Sequence, residues 1–226
     1  MKTVNIIGGG PAALMLAAQL DSSKYNITLY EQKKTLGRKF LVAGEGGLNL
    51  TFDSDQKKLE SQYQPSEYMS PFLRRFNNTN LREWLKAIEI GTFSGSSNRV
   101  FPIKGIKPIT VLNAIIGQLE ENRVNIQLDS KWTGWDKDGN LAFEDESVVD
   151  SDITVFALGG ASWQVTGSDG HWAKLFADKK IHIKSFRAAN CAFNVNWDEA
   201  FLAHHVGKPL KNIEIELDGF VTKGEI

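Results

Sequence analysis

Short apolar runs alternate with amphipathic stretches along the first third of the chain. Val4-Asn5-Ile6-Ile7 is an apolar run of strand type, and Pro11-Ala12-Ala13-Leu14 opens a helix that runs to about Asp21. Tyr25 to Tyr30 reads as the next strand. Strand, helix and strand in that order imply a parallel sheet with a right-handed crossover. Further on, Leu81, Trp84, Leu85 and Ile88 recur at helical spacing. Asn80, with Glu83 three positions later, offers a capping-box-like start for that helix, and Gly91 ends it. Gly95 to Asn98 is a turn leading to Arg99-Val100-Phe101-Pro102. A second helix is predicted from Pro108 to Glu121, with Leu112, Ile115, Ile116 and Leu119 on one face.

Val124 to Leu128 reads as a strand. Lys131 to Asp136 and Asn140 to Glu144 then form a hairpin around Lys137-Asp138-Gly139. Asp152 to Leu158 is a buried strand running into a second glycine turn at Gly159-Gly160. Gly167 to Asp178 reads as a helix and Ile181-His182-Ile183 as a short strand. From Asn190 onward the pattern changes to short strands and turns, Ala192 to Val195 and Lys211 to Leu217, followed by Asp218-Gly219. The chain stops at Ile226 within this β-rich pattern, and is expected to be a fragment.

Composition changes this picture little. With 42% hydrophobic and 23% charged residues the chain is an ordinary globular one, long enough for one large domain or two small ones. A net charge of −1 gives no reason to expect nucleic acid or an anionic membrane as partner. Cys191 is the only cysteine, so no internal disulfide can form and a reducing cytoplasm fits. Lys2 and the apolar run after it superficially resemble a signal peptide. The glycines, Pro11 and the strand–helix–strand pattern argue that the segment is structure instead. No apolar run is long enough to span a bilayer.

The first turn carries the candidate chemistry. Gly8-x-Gly10-x-x-Ala13 sits between a strand and a helix, the context a dinucleotide fingerprint requires. Gly8 permits the turn, Gly10 lets a pyrophosphate approach the backbone, and Ala13 lets helix and strand pack closely. The helix that opens at Pro11-Ala12 would hold the diphosphate with its free N–H groups and positive dipole end. Glu31 ends the second strand, 21 positions after Gly10, where an acidic residue bonds ribose hydroxyls. The bland alternative is a structural glycine turn followed by an exposed strand-end carboxylate. Residues 32 to 52 break the periodic pattern; they are glycine-rich and basic, and read as a loop that wraps something. His171, His182, His204 and His205 show no metal-ligand spacing, and the adjacent His204 and His205 would point apart on a strand. Cys191, beside Ala192 and Phe193, reads as a buried small hydrophobe. No Gly-x-Ser-x-Gly and no Walker sequence occurs.

Four stretches together resemble one family. They are Gly37 to Thr51, Arg99 to Pro102, Ala157 to Trp163 with Thr166 to Gly170, and Arg187 to Cys191. The chain resembles the bacterial FAD-binding flavoproteins related to aminoacetone oxidase and the 3-dehydro-bile acid reductases, over essentially its whole length. Many relatives carry Arg-Cys where this chain has Gly47-Leu48, so the role of that Cys is not carried over. The resemblance implies an α/β fold: a Rossmann-like, glutathione-reductase-like FAD-binding domain over 1–190 with a β-meander, then the start of an inserted β-rich substrate domain over 191–226. Its members are longer, returning to the FAD domain with a late glycine-rich segment.

The resemblance implies FAD as cofactor. Arg38, with Lys39 beside it, would neutralise a phosphate. Gly44, Gly46 and Gly47 would bring N–H groups to the flavin edge, where donors stabilise charge that develops on reduction. Asn49 and Thr51 would orient that loop or contact the cofactor; for Asn49 a turn residue bonding its own backbone is the alternative. Glu45 reads as a loop-tip charge. Trp132 lies near the adenine, and Ala157, Gly159 and Gly160 form the second turn passing the cofactor, the turn from Thr166 to Gly170 facing flavin or substrate. The activity implied is hydride transfer between flavin N5 and a small organic substrate, with NAD(P)H or oxygen as redox partner and no nucleic acid or membrane involved. Two alternatives stay open: an NAD(P)-binding Rossmann dehydrogenase, which leaves the loop from Arg38 to Thr51 without purpose, and a truncated, non-catalytic flavin-binding remnant.

Overall fold

Val4, Ile6 and Ile7 are each no more than 3% exposed, so the first strand must be covered on both faces. In a computed structural model, which describes residues 1–44, 47–187, 196–208, 210 and 213–224, that strand is an interior strand of a parallel sheet. The chain runs β1 (Lys2–Ile7), α1 (Pro11–Gln19), β2 (Tyr25–Tyr30), α2 (Arg38–Ala43), β3 (Thr51–Phe52), α3 (Gln56–Ser61), α4 (Ser66–Leu73), α5 (Asn78–Ala87), β4 (Thr92–Ser94) and β5 (Arg99–Pro102). It continues with α6 (Pro108–Glu121), β6 (Asn125–Gln127), β7 (Trp132–Trp135), β8 (Leu141–Phe143), β9 (Val148–Val149), β10 (Ile153–Phe156), a 3-10 turn (Gln164–Thr166), α7 (Trp172–Asp178), α8 (Glu199–His205), β11 (Ile213–Leu217) and β12 (Phe220–Gly224).

The parallel sheet has the order β10-β1-β2-β6. Val4 pairs with Ile153 on one side and Ile27 on the other, and Ile7 with Phe156 and Tyr30. This is a Rossmann-like arrangement, and the strand ends that face a ligand are those of β1, β2 and β10. Three antiparallel sheets are added: β3-β5-β4, β7-β8-β9 and β11-β12. The meander therefore has one strand more than the expected hairpin. No helix among the described residues is long and apolar enough to cross a membrane.

Helices α1 and α6 share one apolar core with the sheet. Leu14 and Ala17 of α1, Val111 and Leu119 of α6, and Ile6 and Leu29 of the strands are all 1% exposed or less and belong to the same cluster. Asn122, the C-cap of α6, donates from Nδ2 to the Ala18 carbonyl at 2.9 Å and to Ala17 at 3.5 Å. It thereby satisfies carbonyls at the end of α1 that have no partner within that helix. Helix α1 stops at Gln19 rather than Asp21 because Leu20 is already extended.

Several local expectations are corrected. Helix α5 starts two residues before Asn80: the Asn77 side chain accepts from the Thr79 and Asn80 N–H groups, and Asn80 Oδ1 accepts from the Asn77 N–H. Asn80 is thus the third residue of the helix and closes the box rather than starting it. The helix ends at Ala87, before Gly91, where Ile88 leaves the helical conformation and Glu89 takes a φ of 64°. The stretch from 32 to 52 contains α2 and β3 rather than loop alone, and α3 and α4 were not anticipated. β10 is only half-buried because it lies at the sheet edge. The helix expected over Gly167–Asp178 is confined to α7, since Gly167 and Gly170 both have positive φ. Ile181 to Ile183 forms no strand, and His204 and His205 sit on α8 instead of a strand. The expected strand over Ala192–Val195, and Cys191, lie outside the described residues.

The Asn122 bridge generates a prediction. Asn122→Ala should lower the free energy of unfolding by about 1 kcal/mol, the net worth of such a hydrogen bond, with an unchanged m-value in urea denaturation.

Candidate functional site

The turn after β1 is shaped by what crosses it. Gly8 has a φ of 106°, and a Cβ there would lie 2.5 Å from the Ala157 carbonyl oxygen, where the chain leaves β10. Only glycine tolerates both the conformation and the approach. The Gly8 N–H donates to the Tyr30 carbonyl and the Ala157 N–H to the Ile7 carbonyl, each at 2.8 Å, so the three strand ends are locked together. A Cβ on Gly10, in contrast, would meet no atom of the described residues within 4 Å. Gly10 is the N-cap of α1, no side chain caps the helix, and its first turn holds no acidic residue. The first N–H groups of α1 are thus left for a ligand.

Glu31 closes one side of this turn. Its Oε2 accepts from the Gly9 N–H at 2.7 Å and its Oε1 from the Lys33 N–H at 2.8 Å. Burial raises the pKa of this carboxyl; the two backbone hydrogen bonds and the charges of Lys33 and Arg38 pull it back only in part. The stretch that follows is stitched to the same turn: the Gly37 N–H donates to the Gly9 carbonyl at 2.9 Å. Gly37 has a φ of 64° and lies against Leu112 of α6. That contact places Arg38 and Lys39, the first residues of α2, beside the turn.

A cavity of about 740 Å³ opens over these groups. It brings together Gly8, Gly10, Pro11, Glu31, Arg38 and Lys39 with Trp132, Ala157, Gly159 and Gly160, all singled out in the sequence. Ala12 lines an adjoining apolar recess with Phe156, Trp172 and Phe176. Ala13 is fully buried and seats α1 on the sheet. Four other candidates do not reach the cavity wall. Gly44 packs under α6, where a Cβ would come within 2.5 Å of Pro108. Gly47 and Asn49 are exposed, the Asn49 N–H bonding the Gly47 carbonyl, and Thr51 pairs with Val100 in the β3-β5 ladder. Gly46, with Glu45, lies outside the described residues.

Trp132 is 7% exposed, and its ring lies 4.8 Å from both Trp135 and Phe156. Its indole N–H is buried without a partner. The cavity also takes in residues the sequence reading passed over, notably Gln32, Ser130, Thr133 and Lys174. Ser130 is brought there by a contact between distant residues, its N–H bonding the Glu31 carbonyl, which no local pattern signals. Gln32 and Lys174 likewise carried no signal, because their role depends on which loops meet in space. The turn from Thr166 to Gly170 forms the far wall. There His171 Nδ1 lies 2.9 Å from Asp169 Oδ2 on the rim, and no group of three metal-binding side chains occurs among the described residues.

The chain is 24% identical to the 3-dehydro-bile acid delta(4,6)-reductase of Clostridium scindens over 174 residues, 75% of this chain and 42% of that protein. The chain therefore spans well under two thirds of the relative's length. Among solved structures, the 3-ketosteroid-delta4-(5alpha)-dehydrogenase from Rhodococcus jostii RHA1 superposes with a TM-score of 0.49 and 12% identity, covering 70% of this chain and 45% of that one. Thermovibrio ammonificans THI4 superposes with a TM-score of 0.46 and 13% identity, over 76% and 63% of the two chains. The family model described as "HI0933-like protein Rossmann domain" matches residues 2–224, almost the whole chain, and the protein belongs to that family.

Proposed function

We propose that this chain binds FAD and supplies the cofactor-binding part of a flavin-dependent oxidoreductase acting on a small organic substrate, with NAD(P)H or oxygen as redox partner. The observation that carries this reading is the open side of Gly10. An uncapped helix N-terminus, bare of side chains, faces a cavity lined by one carboxylate, Glu31, and two cations, Arg38 and Lys39. That donor set fits a dinucleotide. The α1 N–H groups, with Arg38 and Lys39, would take the diphosphate, and Glu31 the ribose hydroxyls. The wall at Ser130–Thr133 is left for the base. The similarity to a reductase supports redox chemistry over simple storage of a nucleotide. The stitching of Gly37 to Gly9 favours FAD over NAD, because it gives the basic stretch from Arg38 a place at the nucleotide.

When bound, FAD supplies hydride exchange with an organic substrate. The residues of this chain bind and orient. Helix α1 and the two cations offset the diphosphate charge, and Glu31 fixes the ribose. The aromatic group of Trp132, Trp135, Phe156 and Phe176 stiffens the sheet edge under the cavity.

Titrating the purified chain with FAD, FMN, ADP and NAD while following flavin fluorescence and competition tests the reading. FAD should bind, ADP should compete with it, and FMN, lacking the adenosine diphosphate, should not. Preferential binding of NAD would overturn it in favour of the dehydrogenase alternative.

Two substitutions sharpen the test. Gly10→Val adds bulk where no protein atom stands, so the fold should survive, as judged by circular dichroism. Overpacking against the ligand costs about 1–3 kcal/mol, so FAD should bind about 10- to 100-fold more weakly. For Glu31 the sign follows from its raised pKa: the ionised carboxylate is the form that accepts from ribose hydroxyls. FAD affinity should therefore fall on acidification at a higher pH than an ordinary glutamate would give. Glu31→Gln should bind about tenfold more weakly at neutral pH and lose that dependence.

A further inference from the structure

The segment from Ala161 to Gly167 forms a strap whose end, Thr166 and Gly167, lines the cavity. Its roots are fastened to each other: Ser168 Oγ donates to the Gly160 carbonyl at 2.8 Å, and Trp172 Nε1 to the Gly159 carbonyl at 3.1 Å. The tip is wound on itself, the Thr166 N–H bonding the Trp163 carbonyl and the Gly167 N–H the Gln164 carbonyl. No apolar anchor holds the tip down, since Trp163 is 53% and Val165 81% exposed. What ties it down is polar. Gln32 Nε2 donates to the Gly167 carbonyl at 2.7 Å, Lys39 Nζ to the Ser162 carbonyl at 2.7 Å, and Arg38 Nη2 to the Val165 carbonyl at 3.4 Å.

Two of these three ties come from the cations placed beside the α1 N-terminus. A lysine or arginine meets a neutral carbonyl as ion against dipole, whereas a phosphate oxygen adds a full opposite charge, and in a partly enclosed site that Coulombic attraction favours the phosphate. We infer that the strap is latched by Arg38 and Lys39 in the free chain, and that a bound dinucleotide diphosphate takes both cations and releases it. The inference rests on the dinucleotide reading above and adds a regulation of the same site. Linkage makes it reciprocal: the latched strap opposes the ligand by as much as the ligand loosens the strap. Gln32 separates the two effects, because it holds the strap without being a cation the diphosphate would need.

Hydrogen exchange at the Thr166 and Gly167 amides tests the latch. In the free chain, Lys39→Ala should speed their exchange by about tenfold, the worth of one charge-assisted bond. Saturating FAD should speed the same amides in the wild-type chain, and ADP should do likewise. Gln32→Ala should release the strap and bind FAD more tightly than wild type. Unchanged exchange in Lys39→Ala overturns the latch. Slower exchange with FAD, or weaker FAD binding by Gln32→Ala, shows a wall that closes on the ligand; this overturns the inference and leaves FAD binding intact. A chain that binds neither FAD nor ADP overturns the proposed function and ligand release together, while the Lys39→Ala comparison still decides the latch.

Discussion

Three backbone segments meet at the end of β1 with no room for a side chain between them. The Gly8 Cα faces the Ala157 carbonyl, the Gly8 N–H reaches the Tyr30 carbonyl, and the Gly37 N–H reaches the Gly9 carbonyl. This junction fixes the strand ends, aims α1 at the cavity, and holds the start of α2 beside it. Gly10, Glu31 and Arg38, assigned to the diphosphate and ribose, each adjoin one of these contacts in the chain. The core beneath supports it: α1 is pressed on the sheet through Leu14 and Ala17, and α6, in the same core, presses Leu112 against Gly37.

The electrostatics follow from the same packing. Glu31 is held over the turn by the Gly9 N–H, and burial there makes its charge costly. In the same cavity, Lys39 and Arg38 each give a donor to a strap carbonyl. Positive helix end, negative carboxylate and two cations thus stand within one enclosure before any ligand enters. A diphosphate flanked by a ribose matches that order of charges, and a neutral ligand would leave it uncompensated.

The parts of the fold legible in the sequence are those governed by local rules. The Gly8–Ala13 turn, the strand over Tyr25–Tyr30 and the helix over Pro108–Glu121 each carry their own punctuation and period, and all three stand where they were expected. The start of α5 misled because several polar residues compete to cap it, and Asn77 wins by accepting two N–H groups at once. Helices α3 and α4 were missed because they are short and bury one apolar residue each, Leu59 and Leu73, while Tyr68 and Phe72 face outward, so no apolar stripe marks them. In the cavity, Glu31, Gly8 and Gly10 were legible because their spacing is the signal. Gly44 shows the limit of that reasoning. Its small size is used against Pro108 of α6, a contact that depends on tertiary packing and leaves no mark in the local pattern.

The most direct measurement is a backbone amide spectrum of the isotope-labelled chain, recorded as FAD is added. If the end of β1 is the seat of the diphosphate, the largest shifts fall on Gly10, Ala12 and Ala13, with Lys33 and Gly37 next. Shifts concentrated elsewhere, or none at saturating FAD, would contradict the account.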